Sequence, residues 1–528
     1  MIDQIIEGAL IYDGGGSEPF AADVALVGDR IAMLGRLDER DARERIPAGG
    51  LALAPGFIDV HSHSDELWLV DGRCEGKVVQ GVTTEIAGNC GTSAAPLAGL
   101  AFERKVEQGA ELGLEVAWRD LAGFLALVER SGTGCNVATL VGLGTTRRCV
   151  RGDASGPLER DDLAAQQRLV TQAVEQGALG VSSGLIYTPS RYAGVDELSA
   201  CAAAARDAGA AMYATHLRSE GDALLEAVDE ALEVGRRAEV AVQFSHHKAA
   251  GARNWGKVHR SLEAIERARS RSGMAVAADA YPYTASWTSL STILPEDVRE
   301  GAREAVLDRL ADPPTAAAVA LRLELDWAGR WNDILISRAG SERNAEFAGR
   351  RLDAIAADWR IAPARAAIRL LREERLEVEA IFFTMNEDDV ATVLSARFCC
   401  VGSDASARAL RGPTARGVPH PRTFGCFPRV FGRFVRGRKT LELAEAVRRM
   451  TSLPADTFGL TGRGRVAVGA FADLVLFDPE RIVDTATYAQ PYSYPLGIDA
   501  VWVNGAAVVS RGAPTGARPG RVLRNGRA

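Results

Sequence analysis

Between residues 56 and 404 the chain carries eight short apolar runs of strand length, separated by longer stretches with helical periodicity. The runs are GFIDV (from about residue 57), GVTTEIAG (81–88), NVATLVGLG (136–144), GALGVSSG (177–184), AMYATH (211–216), EVAVQFSH (239–246), MAVAADAY (274–281) and RFCCVGSD (397–404). Intervening segments such as PLERDDLAAQQRLVTQAVEQG and DALLEAVDEALEVGRRAE repeat their apolar residues at helical spacing. Strands alternating with helices give a parallel sheet, and eight such units favour closure over an open sheet. The expected fold is therefore α/β, a (β/α)8 TIM barrel.

The two ends read differently. Residues 1–54 are short alternating strands broken by glycine-rich turns, as in IIEGALIYDGGG, and residues 461–528 repeat that texture in GRVAVGAFADLVLFDPE and AVWVNGAAVVSRG. Both ends are expected to fold together as one small β-sandwich, leaving residues 55–460 for the barrel. The gap between the seventh and eighth strands is too long for one helix or loop, so an inserted subdomain is expected at about 290–390. Its position at one end of the barrel suits a lid or mere filler equally.

Composition narrows the partners. With 62 basic and 69 acidic residues the net charge is −7, which points away from nucleic acid and anionic membranes and toward a small-molecule substrate. No run of about 18 apolar residues occurs, and the first residues lack the pattern of a signal peptide, so a cytoplasmic protein is expected. Eight cysteines in 528 residues are too few for a disulfide framework, and each reads as a small buried hydrophobe or a ligand.

Barrel enzymes gather their chemistry at the C-terminal ends of the strands. Strand one ends in His61 and His63, strand two in Asn89-Cys90, strand five in His216, strand six in His246-His247-Lys248, strand seven in Tyr281 and Tyr283, and strand eight in Asp404. Five of the chain's seven histidines thus fall on one rim. Residues i and i+2 of a strand share a face, so His61 and His63 can reach one pocket while Ser62 points away. Imidazoles with a thiolate suit zinc better than magnesium or calcium.

The segments PGFIDVHSHSD, QGVTTEIAGNCG, GVSSGLIYTPSRYA, YATHLRSEG, FSHHKAAGARNWG, DAYPYTAS, VGSDAS and HPRTFGCFPRVFGRFVR resemble the amidohydrolase superfamily, and within it the N-acyl-D-amino acid deacylases, or D-aminoacylases. The resemblance implies one zinc held tightly by Cys90, His216 and His246, with His61 and His63 forming a second, weaker position. It implies Asp404 as the general base and acid of an amide hydrolysis. It also implies a grip on the substrate's α-carboxylate by Lys248, Tyr283 and Arg422, with Tyr187 of GLIYTPS as a further substrate-binding residue. His247 is expected to pack behind its strand.

Two residues depart from the family pattern: Leu143, where a histidine is common, and Ala405, where glycine usually follows the aspartate. The segment after the tyrosines offers Trp287, Leu290, Ile293 and Leu294 but no cation, so neutral, apolar D-amino acids are the expected preference; packing beneath the insertion is the alternative for these residues. A cyclic-amide hydrolase of the hydantoinase or dihydroorotase kind is the competing enzyme, against which the Cys90 motif argues. A non-catalytic scaffold is the competing non-enzyme.

Overall fold

The computed structural model describes residues 1–38 and 40–526. Its centre is a ring of parallel strands: Phe57–Asp59, Val82–Ala87, Asn136–Thr139 continued by Val141–Gly142, Val181–Gly184, Met212–His216, Ala241–Phe244, Val276–Ala280 and Cys399–Val401. We number these barrel strands one to eight. Each pairs in parallel with the next. The ladder crosses the break in strand three through Leu140, whose N–H donates to the Ala87 carbonyl at 2.9 Å. Strand eight returns to strand one through a parallel bridge between Ala405 and Ser62 and through the Asp404 N–H, which donates to the His61 carbonyl at 2.8 Å. The sheet is closed, as eight βα units predict.

Outside the ring, the two chain ends share one nine-stranded sheet, in which Ala52–Pro55 runs antiparallel to Leu474–Phe477. Alternation along a strand sends successive side chains to opposite faces. Leu474 and Leu476 accordingly join Ile6, Ile11, Leu53 and Trp502 in a core of their own, while Val475 and Phe477 face the barrel. Among the described residues no helix is long and apolar enough to cross a membrane.

The chain between strands seven and eight forms a small three-stranded antiparallel sheet, in the order Ser286–Ser289, Val378–Phe382, Ile334–Ala339. Helices Arg303–Ala311, Pro313–Asp326, Leu352–Trp359 and Pro363–Glu373 accompany it. Its core of Leu290, Leu294, Leu310, Leu323, Ile336 and Leu370 is separate from that of the barrel. Leu290, Ile293 and Leu294 therefore serve the insertion's own packing rather than lining the substrate cavity.

Phe57 ties the parts together. Fully buried on strand one, it lies 5.8 Å from the ring of Phe427, 5.7 Å from Phe431 and 6.5 Å from Phe477. It thus bridges the barrel, the helical segment that follows the rim, and the terminal sheet. Phe57→Ala is expected to destabilise by about 3–5 kcal/mol, because little can collapse into so central a cavity; urea unfolding checks this through a lowered midpoint.

Candidate active site

Three rim residues share an unusual backbone. Cys90, His246 and Asp404 have φ of 52°, 36° and 49°, the left-handed region that side chains with a Cβ rarely adopt. Each sits just past the end of a barrel strand, where the chain turns sharply enough to aim its side chain back over the barrel mouth. Such strain, of order 1–3 kcal/mol per residue, persists only where the surroundings enforce it. Close approach at strand eight is part of that enforcement: a Cβ on Gly402 would lie 2.8 Å from the His61 Cβ and 2.9 Å from an Asp279 oxygen.

The side chains meet at the Cys90 sulfur. His61 Nε2 lies 3.3 Å from it, His246 Nε2 3.4 Å and His216 Nδ1 3.7 Å. A tetrahedral zinc with bonds of about 2.3 Å to sulfur and 2.0–2.1 Å to nitrogen sets its sulfur and nitrogens about 3.5 Å apart. The donor set and its sulfur–nitrogen spacings therefore fit zinc, and His61, Cys90 and His246 lie close enough together to share one ion. Burial raises the Cys90 thiol pKa, but His61 and His246 outweigh it and hold the group well below its ordinary value, as a thiolate ligand requires. His61, His63 and Asp404 form a second potential ligand group beside the first.

Buried carboxylates orient the imidazoles. Asp279, on strand seven, lies 3.1 Å from His61 Nδ1 and accepts from Gln243 Nε2 and the His246 N–H, both at 2.8 Å. Glu220 lies 3.0 Å from His246 Nδ1 and pairs closely with Lys248. Asp279 faces Nδ1 of His61 and leaves its Nε2 toward the sulfur, whereas Nδ1 of His246 lies beside Glu220 and accepts from Lys248 Nζ at 2.8 Å. Burial raises the Glu220 pKa, but Lys248, His216 and His246 bring it well below the usual carboxylate range. Burial lowers the pKa of His216, favouring the neutral, ligating form.

Asp404 sits beside this cluster. One oxygen is 3.0 Å from His63 Nε2 and 3.6 Å from His61 Nε2, and the other is 2.9 Å from Arg422 Nη2. Burial favours the protonated acid, yet Arg422 and the neighbouring histidines keep the carboxyl ionised, well below its usual pKa. Arg422 is itself buried over the Tyr281 ring, 4.4 Å from its centroid, and its Nε and Nη1 have no partner among the described residues. A guanidinium at the wall of a cavity is suited to receive an anion.

That cavity, of about 380 Å³, collects most of the residues singled out from the sequence. His63, Cys90, Tyr187, His216, His246, Lys248, Asp404 and Arg422 line it, and His61 stands behind Cys90. Tyr187 packs its ring on His216, 5.1 Å between centroids, and bonds Thr288 through its hydroxyl at 2.9 Å. Tyr283 is not part of the wall. It lies under the guanidinium of Arg429, and the tyrosine facing the cavity is Tyr281, two residues earlier. His247 packs behind its strand on Ser261, as expected. Leu143 opens the helix after strand three away from this wall, whereas Ala405 belongs to it.

Glu220 and Asp279 escaped the sequence reading, although each left a signal. Glu220 follows His216 by four residues in THLRSEG, and Asp279 is an acid inside an apolar strand. The insertion contributes Ser286–Ser289, Arg338 and Leu376–Glu379 to the cavity, so it forms part of the site's wall.

A histidine–thiolate cluster with an ionised carboxylate at the mouth of a closed barrel defines a metallohydrolase site. The sequence profile of the amidohydrolase family matches residues 44–509. N-acyl-D-glutamate deacylase of Alcaligenes xylosoxydans xylosoxydans is 38% identical over 99% of this chain and 96% of its own. D-aminoacylase of the same organism is 34% identical over 99% and 97%. The crystal structure of N-acyl-D-glutamate deacylase from Bordetella bronchiseptica, complexed with zinc and a phosphonate mimic of the tetrahedral intermediate, superposes with a TM-score of 0.84 at 36% identity, over 99% of both chains. The chain belongs to the amidohydrolase family.

Cys90→Ala removes the sulfur around which three imidazoles converge. The variant is expected to lose its zinc, measured as metal per chain after desalting; full zinc content would exclude Cys90 as a ligand.

Proposed function

We propose that this chain hydrolyses the amide of N-acyl-D-amino acids to a carboxylate and a free D-amino acid, using zinc held by Cys90, His216 and His246 with His61 and His63 beside them. The observation that carries the reading is the Cys90-centred histidine cluster with the Asp404–Arg422 pair against it. Zinc in such a cluster supplies Lewis acidity, polarising an amide carbonyl and bringing the pKa of water toward neutrality.

The protein's own groups do the rest. Asp404, ionised before substrate arrives, takes a proton from the attacking water and delivers it to the departing amine nitrogen. Arg422 couples that step to binding. One of its nitrogens holds Asp404, and the guanidinium stands at the cavity wall, where the substrate's α-carboxylate would sit. A bound carboxylate shares the guanidinium charge, weakens its pull on Asp404, and so strengthens Asp404 as a base when it is needed. Lys248 adds a second cation at the wall, steadied by Glu220. Tyr281, under the Arg422 guanidinium, is the tyrosine of DAYPY that lines the wall.

With the α-carboxylate and the acyl carbonyl both fixed, the side chain reaches its space in one configuration only, and the relatives named for D substrates support D. For the side chain itself, Trp287 gives the wall one apolar surface. A second reading, an acidic side chain, is favoured by Arg408. Its guanidinium lines the cavity 5.1 Å from the Trp287 ring centroid and has no carboxylate partner among the described residues.

Cyclic-amide hydrolysis has less support. The lysine in the cavity wall is Lys248, which comes from the strand-six turn and is already engaged by Glu220 and His246. A non-catalytic scaffold would have no use for a complete ligand set.

Asp404→Asn is expected to keep zinc and lose roughly 10²- to 10⁴-fold in kcat, since that is the usual contribution of a general acid–base group. Near wild-type turnover would place the base elsewhere. Arg422→Met should raise KM and lower kcat/KM by about one to two decades, the worth of a charge-assisted hydrogen bond. Steady-state kinetics on paired D and L substrates, with leucine, methionine, glutamate and aspartate side chains, decide configuration and preference. Faster cleavage of the L series would overturn the assignment, and loss of acidic-substrate turnover in Arg408→Leu would establish the second reading.

A further inference from the structure

Contacts to His63, His61 and Arg422 fix the head of Asp404, but they do not explain what holds its backbone at φ 49°. The answer lies below the rim. Lys77, fully buried in the short helix Glu75–Val78, donates to Asp59 Oδ2 at 2.6 Å, to Ser403 Oγ at 2.8 Å and to the Ala405 carbonyl at 2.8 Å. An ammonium has three protons, and all three are used. Ser403 in turn donates from Oγ to Asp59 Oδ2 at 2.6 Å and from its N–H to Asp59 Oδ1 at 2.9 Å, while its Oγ accepts from the Ala405 N–H at 3.2 Å. The residues on both sides of Asp404 are thus bound to one carboxylate on strand one, through one lysine, in a space sealed from solvent.

We propose that Lys77, Asp59 and Ser403 are positioning residues for Asp404, holding the 403–405 turn in the conformation that presents its carboxylate to His63, His61 and Arg422. None of the three lines the cavity, so none is a catalytic residue. The proposal rests on Asp404 as the proton-transferring group. Without the anchor, the peptide relaxes toward ordinary φ and the carboxylate moves off the line of reaction. A displacement of about 1 Å costs roughly 10²-fold in rate.

The test is a cycle of Ser403→Ala, Asp404→Asn and the double variant in the zinc-loaded enzyme, reading kcat, KM and metal content. Ser403→Ala keeps the Lys77–Asp59 pair and so leaves no uncompensated buried charge. It is expected to retain zinc, to keep KM within about threefold and to lower kcat by roughly 10- to 100-fold. In the Asp404→Asn background the same change is expected to lower the residual rate by less than about twofold, because the group being positioned is already gone. Ser403→Thr, which restores the hydroxyl, should recover most of the rate. Equal losses in both backgrounds, loss of zinc, or an unchanged kcat in Ser403→Ala would overturn the proposal. If Ser403→Ala fails to fold, Ser403→Cys is read in the same cycle against the same outcomes. A wild-type rate for Asp404→Asn alone would remove the reading on which the proposal stands.

Discussion

Everything at the barrel mouth depends on one sulfur atom surrounded by three imidazole nitrogens at 3.3–3.7 Å. Three neutral lone-pair nitrogens and a thiolate do not attract one another, so without cations between them the cluster is electrostatically unstable. A metal ion meets that need with a single charge in the middle. The closed ring of strands brings residues 61, 90, 216 and 246 to that point, since no two of them are near in sequence.

Holding them there takes a layer of buried charge beneath the rim. Asp279 serves His61, Glu220 serves His246 and Lys248, and Asp59 with Lys77 serves the turn that carries Asp404. Burying such groups is unfavourable unless they are paired and hydrogen-bonded, and here nearly every one has several partners. The left-handed residues Cys90, His246 and Asp404 show what this layer accomplishes. Strain that would relax in an isolated turn is fixed by bonds to neighbouring strands, so that site geometry and barrel closure become one problem.

The barrel and most of the rim were legible in the sequence because both follow from periodicity. Eight apolar runs separated by amphipathic segments specify closed parallel strands, and strand ends specify where His61, His63, Cys90, His216, His246 and Asp404 gather. What was not legible depends on three-dimensional orientation within a turn. Tyr281 and Tyr283 are two residues apart, and alternation alone would give them the same face; only the actual path of the chain after strand seven shows that Tyr281 faces the cavity and Tyr283 faces Arg429. Leu290 and Leu294 suit either the cavity wall or packing beneath the insertion by position, and it is the insertion's separate core that they close. Arg408 was invisible because its loop has no periodicity at all.

X-ray absorption at the zinc edge of the loaded protein tests the central claim most directly. The account predicts one sulfur neighbour at about 2.3 Å among nitrogen and oxygen neighbours at about 2.0–2.1 Å. A shell of nitrogen and oxygen alone, with no sulfur, would contradict it.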